Sequence, residues 1–478
     1  MSRRLVCMDL FAGAGGMSLG LQRAGFRTVG AAEYDAAAAQ TYQNNFGSDG
    51  LLFQAFGPEL GDVRNLDFGV AQRALEDNGI ERLDLLSGGP PCQGFSRAGR
   101  GKIQHLDDDA NAGSQDQRNE LMFDLCRAVA ALRPRAVLVE NVTGMLQLGG
   151  QNHTEPLCEE LESLGYRTRL TVLNAAWYGV PQNRERLFVL ALAADVPTPA
   201  QWFPTPRHQG RSRMASVGLM ALDYASFSKP ERVERHWPDE AAPSPVPVGD
   251  AFEDIPSYVA HLEPGAKSTL RTTQTHQEYA GAPRSSYAKL MREWEGLEAP
   301  SHVEDHYCRH TPRDFPIFAR MRHGDTYPAA VEIAAELYRE AVEAWDPSSG
   351  TRQPTPEQHI PPYPLGSFDE RWKKLDPARP SWTVTAHLSR DCYSHIHPDG
   401  TQARTISVRE AARLQSFPDG FRLHGNTGDC YRQIGNAVPP LLAAALGAHI
   451  AEILSERSPA RHTEWSRVEV PEQVWTHG

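Results

Sequence analysis

From Arg4 to about residue 195, apolar runs of strand length alternate with helix-like stretches, and this alternation restricts the fold more than any other feature. The strand candidates are Arg4–Leu10, Arg27–Glu33, Leu83–Ser87, Ala136–Glu140, Arg167–Leu173 and Leu187–Ala191. Met17–Ala24, Ala36–Phe46, Leu121–Leu132 and Thr154–Leu164 read as helices between them. Strands spaced by helices predict βαβ units and a mostly parallel sheet. Gly25 stands where the first helix must stop. From about Pro197 the periodicity fades, and residues 201–400 hold 12 of the 18 histidines. That stretch predicts a second, irregular unit with one long helix, Pro328–Trp345, whose apolar residues recur at helical spacing. Helices return at Val408–Gln415 and Pro440–Leu454, and the tail from Ser455 is polar.

The 478 residues fit two to three domains of about 150 residues each. Lys plus Arg is 48 and Asp plus Glu is 60, a net charge of −12. This excludes a general polycation but not a nucleic-acid enzyme, which needs only a local basic face. Seven cysteines, an odd number without a CxxC pair, speak against a secreted disulfide framework and for a reducing compartment. Asp9 interrupts the N-terminal apolar run, so no signal peptide is expected. The longest apolar run, Leu441–Leu454, carries His449 and Glu452 and is too short and polar to span a bilayer; it reads as a buried helix.

Asp9-Leu-Phe-Ala-Gly-Ala-Gly-Gly16 follows the first strand and opens the first helix. Glycines there let a ligand approach the backbone, and the helix N-terminus offers free N–H groups. Glu33 ends the next strand, where an acid commonly takes ribose hydroxyls. Ser18 replaces the third glycine of the dinucleotide fingerprint, so an adenosyl cofactor without pyrophosphate fits as well as NAD, and a plain strand–helix turn remains open. Ser87-Gly-Gly-Pro-Pro-Cys-Gln-Gly-Phe-Ser96 puts Cys92 on a loop stiffened by two prolines, a setting for a thiolate nucleophile. Glu140 ends the strand in Leu138-Val-Glu-Asn-Val142. Strand ends of a doubly wound sheet open on one crevice, where a nucleophile and a carboxyl suggest covalent addition with acid assistance. In Tyr178-Gly-Val-Pro-Gln-Asn-Arg-Glu-Arg186, Arg184 and Arg186 share one face of an extended segment and suit a carboxylate, a phosphate or a base oxygen; a surface ion pair is the plainer alternative. Ser407 and Glu410 have capping-box spacing. Gly435-Asn436 precedes the last helix and either lines a pocket or caps. His302, His306, Cys308 and His310 cluster without a second ligand pair at finger spacing, so no metal is expected.

Together these segments resemble the C5-cytosine-specific DNA methyltransferase family, of bacterial restriction–modification or phage-defence type, over residues 4–191 and about 368–453. Ser381-Trp-Thr-Val-Thr-Ala-His387 with Ile396-His-Pro398 is similar to a bacterial branch of it. The resemblance implies an α/β fold: a Rossmann-like S-adenosylmethionine-dependent methyltransferase domain at 1–199, completed by 420–456. A smaller irregular target-recognition domain at 200–419 and a polar tail at 457–478 complete the expected division. It implies that Cys92 attacks cytosine C6, that Glu140 contacts or protonates N3, and that Arg186 with Arg184 orients Glu140 and the base. A methyl then passes from S-adenosyl-L-methionine to C5 of a flipped cytosine. The implied cofactor contacts are Phe11, Gly13, Gly15, Gly16, Glu33, Tyr34, Asp62, Leu121, Asn436 and Ala437, with Glu33 on the ribose, Tyr34 facing adenine and Asp62 accepting from the adenine amine. The implied DNA contacts are Gln93, Ser96, Arg118, Gln182, Thr385 and Arg404, and Ser96–Arg118 matches a mobile loop. Double-stranded DNA and separate restriction or defence proteins are the implied partners of a cytoplasmic, nucleoid-associated monomer without membrane contact.

Three other readings compete. A tRNA cytosine-5 methyltransferase shares the fold, but the long recognition region argues against it. An inactive DNA-recognition module is opposed by the presence of Cys92, Glu140 and the glycine turn. An NAD-dependent oxidoreductase accounts for the turn and Glu33 but not for Pro-Pro-Cys-Gln.

Overall fold

The computed structural model describes residues 4–47, 61–90, 112–146, 152–209, 227–262, 277–366 and 371–455, with only the backbone described for 112–120. Strands β1 (Val6–Leu10), β2 (Arg27–Ala32), β3 (Leu85–Gly88), β4 (Ala136–Asn141), β5 (Tyr166–Asn174) and β6 (Glu185–Ala193) form one sheet in the order β2-β1-β3-β4-β6-β5. β1 to β4 pair in parallel, whereas β6 runs antiparallel to both β4 and β5. Every residue of β1, β3 and β4 is buried, as strands covered on both faces should be, including the polar Asp9, Ser87, Glu140 and Asn141 near their carboxyl ends.

Helices α1 (Gly16–Arg23), α2 (Ala36–Phe46), α3 (Phe68–Asp77), α4 (Ala112–Leu132) and α5 (Thr154–Ser163) lie between the strands in the chain. α1 stops where Gly25 predicts: Gly25 adopts φ 94°, its N–H bonds the Gln22 carbonyl at 2.9 Å, and the Phe26 N–H bonds Leu21 at 3.0 Å. Beyond the sheet come α6 (Val248–Phe252), α7 (Ser286–Arg292), α8 (Phe315–Arg320), α9 (Tyr327–Ala344), α10 (Val408–Leu414), α11 (Thr427–Asn436) and α12 (Pro440–Ser455). The long helix expected at Pro328–Trp345 is α9. α12 returns to lie on α1 so closely that a Cβ at Gly20 would collide with the Pro440 carbonyl and the Ala443 methyl. Thr427–Ser455 is long and apolar enough to cross a membrane by length and composition, but 67 % of its most apolar 18-residue window is buried inside the protein. Pro439 separates α11 from α12 within it.

Packing does not change at residue 199, where the sequence suggests a boundary. Trp202, Phe203, Phe227 and Val233 belong to the same apolar core as the sheet. The Glu234 N–H bonds the Leu170 carbonyl on β5 at 2.9 Å. Arg232, buried, pairs with Glu162 at 2.6 Å and Glu155 at 3.4 Å on α5. The physical reason is that β5 is an edge strand, whose open side this segment covers. Nor do α10 and α11 separate at residue 419: both contribute to a core that joins Ala14 and Leu19 to Val248, Phe252 and Tyr287.

Candidate active site

The chain runs from β1 to β2 on one side and places β3 on the other, so a crevice opens beyond the carboxyl ends of β1 and β3. The β1–α1 turn lines it. Phe11 adopts φ 56°, a left-handed conformation costly for a bulky residue. Gly15 adopts φ 97°, and a Cβ there would run into the Phe46 ring. Glu33 holds the turn from below: its Oε2 accepts the Gly13 N–H and its Oε1 the Asp35 N–H, each at 2.7 Å. Burial raises the Glu33 pKa. Each oxygen has acceptor capacity beyond the bond described, which suits a vicinal diol. Among the described residues nothing lies within 4 Å of the Cβ position at Gly13, and Tyr34 is 77 % exposed. An open backbone turn, an acceptor carboxylate and an unpacked aromatic ring fit an adenosyl cofactor.

The segment after α11 closes the other side of this turn. A Cβ at Gly16 would fall on the Val438 carbonyl and close to the Ala437 methyl, while Asn436 is exposed. Leu121 is half-buried against the sheet core. Asp62 is engaged by its neighbour: the Arg64 N–H and Nε both donate to its Oδ1 at 3.0 Å, and the guanidinium holds its pKa down. An adenine amine would share this carboxylate with Arg64.

Across β3 lies the second half of the site. Because β6 is reversed, it begins where β4 ends, and Leu187 pairs with Asn141. Arg186 therefore sits beside Glu140, with Nε 3.0 Å from Oε1. Burial raises the Glu140 pKa, and the Arg186 charge opposes this. The Asn141 amide donates to the Pro90 carbonyl at 3.1 Å, and a Cβ at Gly89 would lie 3.2 Å from Glu140 Oε2. The chain leading towards Cys92 is thus held against the Glu140 carboxylate. Cys92, Gln93 and Ser96 themselves lie outside the described residues, as does the side chain of Arg118.

Arg184 reaches Glu140 and Arg186 through its charge and bonds backbone elsewhere. It is fully buried and donates to the Val384 carbonyl at 2.7 Å and the Gly435 carbonyl at 3.0 Å. Gln182 is also buried: it donates to Leu414 at 3.0 Å and accepts from the Val384 N–H at 2.8 Å. Both residues tie the β6 entry to the segments around Val384 and Gly435. Thr385 is half-buried, and its carbonyl would be struck by a Cβ at Gly435.

Arg404 is bound up inside the protein. Implied as a DNA contact, it is 1 % exposed, makes two 2.7 Å bonds to Glu410 and bonds Gln402 besides. The expected Ser407–Glu410 capping box is present, and its carboxylate draws the guanidinium inward. In the histidine cluster, His306 is spent on the Ser407 hydroxyl at 2.9 Å and the Pro256 carbonyl at 2.8 Å, and burial pushes the Cys308 thiol up to about 12. Sequence reasoning missed Asn141, although it directly follows Glu140. It also missed Gln415, whose amide holds the Ala437 carbonyl at 2.5 Å and whose sequence context carries no signal.

Residues 5–452 match the family described as C-5 cytosine-specific DNA methylase. Type II methyltransferase M.AgeI of Thalassovita gelatinovora is 31 % identical over 476 residues, covering 94 % of this chain and 99 % of that protein. Type II methyltransferase M.DdeI of Desulfomicrobium norvegicum is 30 % identical over 456 residues, covering 93 % and 88 %. An Oceanobacillus iheyensis protein described as a type II methyltransferase reaches 34 % over 452 residues, 92 % of this chain and 94 % of its own. In fold, the chain is similar to a solved E. coli prophage-encoded protein described as a DNA modification methyltransferase, with TM-score 0.61, 23 % identity and coverage of 95 % and 100 %. With a whole-chain family match, a crevice that fits an adenosyl group and a buried carboxyl–guanidinium pair beside it, the chain belongs to the C-5 cytosine-specific DNA methylase family and is an S-adenosylmethionine-dependent DNA (cytosine-5) methyltransferase.

Proposed function

We propose that this enzyme methylates C5 of a cytosine flipped out of a specific duplex sequence, through a covalent bond between Cys92 and C6, and so protects host DNA in a restriction–modification or other phage-defence system. The observation that carries this reading is the Glu140–Arg186 pair at 3.0 Å, packed against the Gly89–Pro90 approach to Cys92. Cytosine C5 is a weak nucleophile. Attack of the Cys92 thiolate on C6, with Glu140 delivering a proton to N3, makes C5 enamine-like. Burial favours the protonated carboxyl that this role needs, while Arg186 fixes its orientation. Bound S-adenosylmethionine supplies an electrophilic methyl group. Loss of the C5 proton and departure of Cys92 then restore the aromatic ring.

Glu33 and the Phe11–Gly16 turn hold the ribose end of the cofactor, Tyr34 and Asp62 its adenine, and Leu121, Asn436 and Ala437 complete the walls. Gln93, Ser96, Arg118 and Thr385 meet DNA. Arg184 and Gln182, buried as they are, act by positioning the β6 entry. The enzyme works as a monomer in the cytoplasm, on nucleoid DNA, beside separate restriction or defence proteins. The decisive experiment is methyl transfer from labelled S-adenosylmethionine to genomic DNA lacking 5-methylcytosine, with bisulfite sequencing and Cys92→Ala alongside. Label in one short sequence context, abolished by Cys92→Ala, is expected. Label in tRNA and none in DNA overturns the reading.

A further inference from the structure

One buried network joins the two halves of the crevice and is used by neither. Asp9, the penultimate residue of β1, is 1 % exposed. Its Oδ2 accepts the Ser18 hydroxyl of α1 at 2.6 Å, and its Oδ1 accepts the Ser87 hydroxyl of β3 at 2.8 Å. The Tyr42 hydroxyl of α2 donates to Ser18 Oγ at 2.9 Å. Asp9 and Ser87 are register partners across the β1–β3 pair, where the sheet changes direction of winding. Ser18 stands at the position of the third glycine of a dinucleotide turn. The four residues come from four elements. β1 leads into the cofactor turn, α1 starts from it, α2 follows Glu33–Asp35, and β3 leads through Gly89 and Pro90 towards Cys92.

An aspartate inside a sheet core is costly unless its oxygens are bonded. Among the described residues, no cation is one of the groups that set its protonation. Two serine hydroxyls and the Ser18 backbone N–H support it, and burial still raises its pKa to about 6. The titratable groups facing it are Cys7 on its own strand and Tyr42 on α2, both pushed up by burial, while α1 and β3 face it with serines. Such a group contributes little to stability that an apolar residue would not. It does fix two elements relative to one another through directed bonds.

We propose that Asp9 is a positioning residue that sets the cofactor turn through Ser18 and the nucleophile strand through Ser87, so that each serine controls one half of the reaction. This rests on the reading that β3 delivers the attacking cysteine.

The test uses the full chain and three variants, with affinity for S-adenosylhomocysteine measured by calorimetry and turnover on cytosine DNA at saturating cofactor. Ser87→Ala is expected to lower kcat about tenfold and leave the S-adenosylhomocysteine Kd within about twofold, as for neighbouring groups in one hydrogen-bond network. Ser18→Ala is expected to weaken S-adenosylhomocysteine about tenfold with kcat nearly kept. Asp9→Asn is expected to lose both. A general loosening would move both quantities together in every variant, and that result, or an unaffected Asp9→Asn, overturns the proposal. If Asp9→Asn does not fold, the opposite splits of the two serine variants still decide it. If the wild type transfers no methyl to DNA, the proposed function fails separately. The rate of Cys92 alkylation by iodoacetamide then replaces kcat, and Ser87→Ala must change it while Ser18→Ala does not.

Discussion

The sheet and the irregular half of this molecule are held together by different means. In the sheet, ladders satisfy the backbone, and the interior of β1, β3, β4 and β6 is almost wholly apolar. From residue 248 to 421 the described strands are two residues long. Backbone carbonyls there still need donors. Buried arginines supply them. Arg409 donates to the carbonyls of Glu304, Pro418 and Phe421, each at 3.1 Å. Arg413 donates to Ala251 at 2.9 Å and grips Asp254 at 2.5 Å and Asp419 at 2.6 Å. A guanidinium has five donors in a rigid fork, so one side chain can do the work of several ladder bonds. The comparison teaches that irregular structure is not loose structure. Its order is concentrated in a few residues rather than spread along strands.

The sharpest break in this comparison separates chemistry from both scaffolds. Glu140→Gln should cut kcat by about 10²–10⁴-fold, the range for a lost general acid. Its thermal unfolding should stay close to wild type, and steady-state kinetics with calorimetry check both. Arg413→Met should cost about 3–5 kcal/mol, because Asp254 and Asp419 lose their buried cation and are left with Arg292 at 3.4 Å and the Tyr279 hydroxyl at 2.7 Å. Hydrogen exchange should then rise in α6 and α10 and not in β1 or β4. Leu190→Ala, in the 1 % exposed middle of β6, should cost about 3 kcal/mol by denaturant unfolding and leave the irregular half protected. Asn426→Ala removes the capping box of α11 and should cost about 1 kcal/mol.

Acid sharpens the contrast further. Arg404 holds the Glu410 carboxyl well below its ordinary value of 4.5. A depressed carboxylate contributes stability that is fully present above the unfolded pKa and lost as pH falls through the folded one. The stability difference between wild type and Glu410→Gln should therefore be constant above about pH 5 and shrink below pH 4.5. Glu140, raised by burial, moves the opposite way: turnover should fall as pH rises through its folded pKa.

Legibility follows the same division. Six strands were readable because their apolar runs are bounded by turns, and Gly25 marked the end of α1 through a conformation other residues avoid. Glu140 was readable as a strand-end carboxyl, whereas its pairing with Arg186 came only from the family resemblance. The direction of β6 was not readable, since an apolar run looks the same in either sense; yet that reversal is what brings Arg186 to Glu140. The burial of Arg404 and Gln182 was not legible, because a long polar side chain in an irregular region carries no periodicity to say which way it faces. Their partners, Glu410 and Val384, are fixed by tertiary packing. The continuity of the core past residue 199 was hidden for a related reason. Composition changes there, but the edge of β5 still needed covering.

The contact between α1 and α12 has a consequence for synthesis. Gly16 and Gly20 lie against backbone that begins at Val438 and Pro440. A nascent chain completes the sheet, and its Glu140–Arg186 pair, after about 195 residues, but the wall of the cofactor turn is missing until some 245 more are added. At about 5–20 residues per second this is a wait of roughly 12–50 s. Throughout it the core of the sheet lacks Leu442, Leu446, Ile450 and Leu454, which α12 supplies. Chains cut short before α12 should therefore lack part of that core as well as the wall of the cofactor turn.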